Sequence, residues 1–201
     1  MEFKTDTHYF LGMNTHAVPA DEGDYLVISC KAYVTDMADK YMPGWRSLAA
    51  PPQPPTSRLR DAYERALLRE TVPPAALVAS YSGKVGAMIY ASPCGRPDVA
   101  QPVALLARAL TFPTDELDAL ADETMLYMAH TADFSVRIDA AADDGERLTA
   151  QCDSDWSVGH STTGFFLMLA GVALVYSSKR QPCIALSSTE AEIIAASAVS
   201  Y

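Results

Sequence analysis

The last quarter of the chain alternates between apolar and polar side chains with the period of a β-strand. The alternation runs through Leu148, Thr149, Ala150, Gln151, Cys152 and Asp153. Two runs rich in Phe, Leu, Val and Tyr follow at residues 162–169 and 172–178, and Ala170 with Gly171 joins them as a tight hairpin. The pattern predicts three antiparallel strands, with Asp153 on the polar face of the first.

A helix is predicted directly after these strands. Ser187 and Glu190 have the spacing of a capping box, and residues 191–199 continue the helix. Glu190 therefore has two interpretations, as the capping partner of Ser187 or as a metal-binding carboxylate. Asp155 and Glu192 are interpreted as solvated, or as neighbours of the metal ligands. Asp153 is harder to explain structurally, because aspartate is depleted in strands.

The first part of the chain is predicted to be mainly helical. Residues 8–16 and 26–29 have the character of short strands, and residues 31–42 form an amphipathic helix. Residues 43–57 are predicted as a linker or exposed loop, since consecutive prolines remove backbone donors and force an extended chain. Residues 58–70 can form a charged helix, whose basic residues need no nucleic-acid partner.

Three further helices are predicted between residues 80 and 130. Gly83 and Gly86 permit close helix packing in the first of them. The sequence Arg96, Pro97, Asp98 opens the next, so Asp98 is interpreted as a helix-start residue rather than a metal ligand. After Pro113 and Thr114, another helix carries an apolar stripe that is predicted to pack in the core. The stripe consists of Leu117, Leu120, Met125 and Met128.

Composition indicates a globular chain with an acidic surface. Of the 201 residues, 49% are hydrophobic and 20% are charged. A chain of this length and composition can bury a core and form one or two small domains. The net charge is −10. From Leu148 onward there are four acidic and two basic residues, which leaves 21 acidic and 13 basic residues before it. The chain therefore lacks the excess of basic residues that is typical of a nucleic-acid-binding protein. The acidic, alanine-rich segment 139–146 marks the predicted domain boundary.

The cysteines and the hydropathy of the chain indicate which class of protein it belongs to. Cys30, Cys94, Cys152 and Cys183 are scattered, without a CxxC pair, which predicts buried free thiols rather than a zinc site or disulfides. No apolar run reaches the roughly 18–20 residues of a membrane helix, and the N-terminus lacks the profile of a signal peptide. We therefore expect an intracellular protein, cytoplasmic or nuclear, without a membrane partner.

Four blocks in the last quarter carry a family resemblance when taken together. They are CDSDW at 152–156, HSTTGFF at 160–166, YSSKRQP at 176–182 and ALSSTEAEIIA at 185–195. In this order and spacing they resemble the ribonuclease H domain of copia-type LTR retrotransposon polyproteins. Two earlier segments, HYFLGMNTH at 8–16 and residues 80–100, are similar to the region that follows the catalytic core of the reverse transcriptase in that family.

The resemblance implies an architecture and a chemistry. It implies an α/β chain of the α+β kind, in which a helical thumb and connection region, residues 1–145, precedes the first part of a ribonuclease H-like sheet and helix, residues 146–201. Asp153 and Glu190 match the family's catalytic, metal-binding carboxylates. Mg²⁺, or Mn²⁺ in its place, is the implied cofactor and is expected to bind weakly. The implied partners are an RNA–DNA hybrid and the rest of the polyprotein.

The resemblance also shows departures from the family pattern. The family's next metal-binding aspartate lies on a strand beyond the helix in which this sequence stops, and the paired aspartates of the polymerase site have no counterpart. We expect no reverse transcriptase activity and an incomplete ribonuclease H domain, with self-association through an exposed sheet edge. A catalytically dead or domesticated remnant that serves as a binding or structural module is the alternative, and so is a truncated reading of a longer gene.

Overall fold

The computed structural model describes residues 8–10, 12–18, 25–139, 148–157, 159–169 and 172–199. Two compact units divide the chain. Unit 1 comprises residues 1–16 and 27–136, and unit 2 comprises residues 17–26 and 137–201. The predicted hairpin turn at Ala170 and Gly171 and nearly all of the acidic segment 139–146 lie outside the described residues.

Helices and two antiparallel sheets make up the described structure, which confirms the predicted α+β class. The strands are β1 (His8–Phe10), β2 (Met13–Val18), β3 (Tyr25–Ser29), β4 (Ser135–Asp139), β5 (Leu148–Asp155), β6 (Thr162–Leu169) and β7 (Val172–Arg180). The helices are α1 (Lys31–Tyr41), α2 (Thr56–Leu67), α3 (Ala75–Ala91), α4 (Ala100–Arg108), α5 (Asp115–His130) and α6 (Ser188–Val199). None of the helices in the described ranges is long and apolar enough to cross a membrane.

The core of unit 1 lies where α3, α4 and α5 pack together, with α1 and α2 against them. The predicted stripe on α5 is confirmed as core, since Leu117, Leu120, Met125 and Met128 are all buried. Thr114 caps this helix through its hydroxyl, which accepts the Leu117 N–H at 3.1 Å. The periodic apolar positions thus fold as the sequence predicts, because each reaches the same interface.

Two boundaries in unit 1 differ from the prediction. Helix α2 begins at Thr56, inside the predicted linker, because the Leu59 N–H donates to the Pro55 carbonyl and proline needs no donor in the first turn. The predicted strand at residues 8–16 is two strands, β1 and β2. Gly12 separates them with φ of 76°, a conformation that favours glycine.

The prediction that two glycines permit close helix packing holds at Gly83 alone. A Cβ at Gly83 would lie 3.4 Å from the Tyr41 hydroxyl oxygen, whereas a Cβ at Gly86 would meet nothing within 4 Å. The prediction for Gly86 was wrong, because this position of α3 is turned away from neighbouring side chains. Asp98 lies in the first turn of a 3₁₀ helix, Pro97–Val99, as predicted, and also pairs with Arg96 at 2.8 Å.

Unit 2 contains the sheet that the hydrophobic pattern predicted. Strands β5, β6 and β7 pair in that order and are all antiparallel. Helix α6 packs on β5 and β6. In the described part of the chain, β5 is hydrogen-bonded to β6 alone and therefore forms an edge of the sheet.

All four cysteines are free, but the prediction that they are buried holds for Cys30 alone. Cys94 is half-buried, and Cys152 and Cys183 are exposed. Cys152 was expected on a covered apolar face of β5. Its side chain and that of Leu148, which is 63% exposed, are instead accessible, because β5 is an edge strand.

Candidate carboxylate site in the three-stranded sheet

Asp153 lies on the edge strand of the three-stranded sheet. It stands opposite Gly164 of β6 in the antiparallel register, and its side chain is exposed. Because Gly164 has no side chain, nothing on the neighbouring strand covers the Asp153 carboxylate from directly across. The structure thus places this carboxylate where an incoming cation or substrate has free access.

Glu190 lies in the first turn of α6 and takes part in a helix cap. Its backbone N–H donates to the Ser187 hydroxyl at 3.1 Å, which is the first half of the predicted capping box. Its carboxylate accepts the backbone N–H of Leu186 at 2.7 Å, one residue before the position used in a standard capping box. The capping interpretation of Glu190 is therefore present in the structure, and one carboxylate oxygen is already engaged.

The two sheet faces differ in what covers them. Ser154 is the cross-strand partner of Thr163, and Thr163 is linked to α6 through a hydrogen bond to the side chain of Gln181. Alternation along β5 puts Asp153 on the face opposite Ser154. Asp153 therefore does not point into the interface between the sheet and α6.

The carboxylates present do not fit a two-metal centre. Two-metal hydrolysis uses ions about 3.5–4 Å apart, which several carboxylates must hold together. Within the described ranges, no three His, Cys, Asp or Glu side chains come together in a way that could hold a metal ion. Asp155 and Glu192 are exposed, in agreement with their predicted solvation. Among the described carboxylates, Glu190 also serves as a cap, which leaves only part of its carboxylate for other partners.

Sequence patterns did not identify the polar cluster that joins the sheet to α6. Gln181 is 2% exposed, and its side-chain amide donates to the Thr163 hydroxyl at 3.0 Å and to the Ala191 carbonyl at 2.9 Å. Its backbone N–H donates to the Ser161 carbonyl at 2.8 Å. The only local signal is a polar residue between a strand and Pro182, which in most sequences marks an exposed loop.

Two contacts fix the segments on either side of this cluster. His160 Nδ1 lies 2.8 Å from the Gln181 carbonyl, and because a carbonyl only accepts, Nδ1 is the donor in this hydrogen bond. The Trp156 indole N–H donates to the Ala185 carbonyl at 3.2 Å. The end of β5 is thereby tied to the loop that leads into α6, so both predicted site residues belong to one hydrogen-bonded assembly.

Unit 1 contains buried charges that have a structural explanation. Lys84 lies between Asp118 and Asp122, 2.7 Å from a carboxylate oxygen of each. Burial alone would lower the pKa of Lys84, but the hydrogen bonds to the two aspartates outweigh it and raise the pKa. Arg96 is fully buried and donates to Asp98, the Met128 carbonyl and Thr131. Lys84 thus links α3 to α5, and Arg96 links the segment before α4 to the end of α5.

Curated relatives of this chain are proteins of transposable elements. It is 29% identical over 193 residues to a Ty5-1 transposon protein of Saccharomyces cerevisiae, covering 94% of this chain and 58% of that protein. It is 34% identical over 117 residues to the retrovirus-related Pol polyprotein from transposon TNT 1-94 of Nicotiana tabacum, covering 58% of this chain and 9% of the polyprotein.

A third relative extends the match along the chain. The retrovirus-related Pol polyprotein from transposon RE1 of Arabidopsis thaliana is 27% identical over 191 residues, covering 93% of this chain and 12% of the polyprotein. No protein-family model matches the chain, and no solved structure does. This chain therefore spans little more than half of the yeast protein and about a tenth of each plant polyprotein. Its homologues are Ty5- and copia-type retrotransposon Pol polyproteins.

Proposed function

We propose that this chain is the end of a reverse transcriptase region followed by the first part of a ribonuclease H domain. The observation that supports the proposal is the succession β5, β6, β7 and α6, with Asp153 on the first strand and Glu190 in the first helical turn. Homology to retrotransposon Pol polyproteins gives that succession its context. Unit 1 is then the helical thumb and connection region.

The activity assigned to the whole domain is hydrolysis of the RNA strand in an RNA–DNA hybrid. Mg²⁺ supplies the chemistry of such a reaction by activating water and stabilising the leaving oxygen. In this chain, Asp153 provides one accessible carboxylate and Glu190 one that is partly engaged in a cap. Because these residues do not fit a two-metal centre, we propose that the chain alone does not cleave hybrids.

A chimera tests the proposal directly. The second half of a ribonuclease H domain of known activity is joined after Val199, and cleavage of a fluorescent RNA–DNA hybrid is measured with Mg²⁺. We expect the chain alone to be inactive and the chimera to be active, with activity lost in Asp153→Asn. Asp155→Asn is the matched control, since Asp155 lies two residues further along the same strand. A folded chimera that is inactive, or one that tolerates Asp153→Asn, contradicts the proposal.

A remnant that acts as a binding or structural module is the second candidate. It is favoured by the net charge of −10, which opposes tight binding of a polyanion, and by the lack, among the described residues, of three side chains placed to hold a metal ion. Titration of a labelled hybrid with the chain at low salt separates the two candidates. Micromolar affinity that falls steeply with salt supports the ribonuclease H proposal, and absence of binding supports the remnant.

A further inference from the structure

The buried amide of Gln181 has an orientation that its surroundings determine. The Ala191 carbonyl accepts but cannot donate, so the amide nitrogen, not the oxygen, must lie 2.9 Å from it. That nitrogen also donates to the Thr163 hydroxyl. One side chain thus connects the middle strand of the sheet to the first turns of α6.

The oxygen of the same amide is buried but makes no hydrogen bond to the described protein groups. Burying the Gln181 side-chain oxygen in this arrangement carries a free-energy cost. An apolar side chain of similar size, such as leucine, would avoid that cost and fill the same space. Bulk alone therefore does not explain a glutamine here, whereas the two bonds that its nitrogen donates do.

The backbone of Gln181 is held independently of its side chain. Its N–H donates to the Ser161 carbonyl, and its carbonyl accepts from His160 Nδ1. Both partners lie in the segment that connects β5 to β6. The backbone of Gln181 is therefore held by the sheet. Its side chain, which bonds to α6, consequently fixes the helix relative to the sheet.

We infer that Gln181 is a positioning residue for the carboxylate site: it holds the first turn of α6, and with it Glu190, against β6, next to the strand that carries Asp153. The role in a site rests on the proposed function. The mechanical part does not, because it concerns where the Glu190 carboxylate lies and not what it binds.

Amide exchange and chemical shifts of the whole chain test the inference. In Gln181→Leu, amides in the first two turns of α6 are expected to exchange about tenfold to a hundredfold faster, because both hydrogen bonds that tie this part of the helix to the sheet are lost. Amides of β6 and β7 are expected to keep their protection. The Leu186 amide proton, which donates to Glu190, should move upfield as that bond lengthens. Gln151→Leu, at an exposed position of β5, is the matched control and should change neither signal.

Gln181→Glu keeps the test decisive if the leucine variant does not fold. A neutral carboxyl at this position can donate one bond to the Ala191 carbonyl, but an ionised one can donate none. Burial raises the pKa of such a carboxyl, so protection of α6 is present below its unfolded pKa and is lost as the pH rises through the folded value. Gln151→Glu is the control for this series, and wild type gives the pH dependence that is present without a carboxyl at position 181.

Two outcomes overturn the inference. One is protection and a Leu186 shift in Gln181→Leu that match wild type. The other is a pH-dependent loss in Gln181→Glu that spreads equally over β6, β7 and α6, which indicates a packing role. Broadening of the Asp153 resonances by Mn²⁺ is recorded separately. Its absence, with the Gln181 results as expected, counts against the proposed function and leaves the positioning role standing.

Discussion

The two units bury different kinds of side chain. Unit 1 has a core of Leu, Met, Val and Tyr side chains, and its two buried cations, Lys84 and Arg96, are paired. Among the described residues of unit 2, the buried apolar side chains are all alanines, and they share the interior with Ser161, Thr163 and Gln181. Unit 1 is therefore stabilised mainly by apolar burial, whereas unit 2 depends more on hydrogen bonds between sheet and helix.

Large apolar side chains of unit 2 are exposed instead. They include Leu148, Phe166, Leu169, Leu174, Val175, Ile184, Leu186 and Ile193. Fully burying a side chain of this size contributes roughly 1.5–3 kcal/mol, and these positions gain only part of it. Exposed apolar surface beside a strand that, among the described residues, pairs on one side alone also favours association. Unit 2 is therefore expected to be the less stable unit and the one through which copies of the chain meet.

The largest expected difference between the units comes from truncating one leucine in each. Leu106→Ala removes a fully buried side chain from the core of unit 1 and should cost about 3–5 kcal/mol. Leu174→Ala removes a side chain that is 43% exposed and should cost about 1 kcal/mol or less. Urea unfolding, followed by backbone amide signals of each unit, measures both. Equal costs would mean that unit 2 has a core after all.

The second largest expected difference is the loss of stability of the two units at alkaline pH. The pKa values of Lys84 and Tyr81 are raised, Lys84 by its aspartate partners and Tyr81 chiefly by burial. Groups with raised pKa values stabilise the fold below their unfolded values and lose that contribution as the pH rises through the folded ones. Unit 1 should therefore lose stability above about pH 10, near the reference pKa values of tyrosine and lysine, while unit 2 changes less.

Lys84→Met supplies the control for the alkaline series. The variant should be less stable at pH 7, because Asp118 and Asp122 lose their common partner. Its remaining alkaline loss should be smaller than that of wild type. Lys179→Met, an exposed position in β7, should leave the profile unchanged. An identical alkaline loss in Lys84→Met and wild type would remove Lys84 from the explanation.

The same contrast explains what the sequence could predict. Periodic apolar residues predicted α5 and its stripe, and strand alternation predicted β5, β6 and β7, because both patterns depend on near neighbours in the chain. The exposure of Cys152 and the burial of Gln181 were not predicted. Each depends on which surface lies opposite, and alternation alone does not reveal whether a face is covered. For Glu190 the spacing left two roles open, and the structure shows the cap.

Hydrogen exchange and association state test the stability contrast without mutation. Amides in β5, β6, β7 and α6 are expected to exchange faster than those of α3 and α5, since local opening exposes little apolar surface in unit 2. The chain is expected to self-associate as its concentration rises. Cys152→Lys places a charge on the edge strand and should reduce association. A monodisperse monomer with uniform protection in both units would contradict the contrast.

The smallest expected effect concerns Glu190, whose two roles predict different responses. As a cap, Glu190→Ala should cost about 1 kcal/mol, and Glu190→Gln should be nearly neutral because its amide oxygen can still accept the Leu186 N–H. Glu192→Ala is the control in the same helix.

If Glu190 and Asp153 also share one weakly bound ion, Mg²⁺ at a concentration equal to its dissociation constant adds only about 0.4 kcal/mol to the free energy of unfolding. This gain in stability should disappear both in Asp153→Asn and in Glu190→Gln. A gain that remains in both variants would mean that the ion binds at another site. Thermal melts of the four variants and wild type, with and without millimolar Mg²⁺, therefore separate the structural contribution of this carboxylate from its proposed role as a ligand.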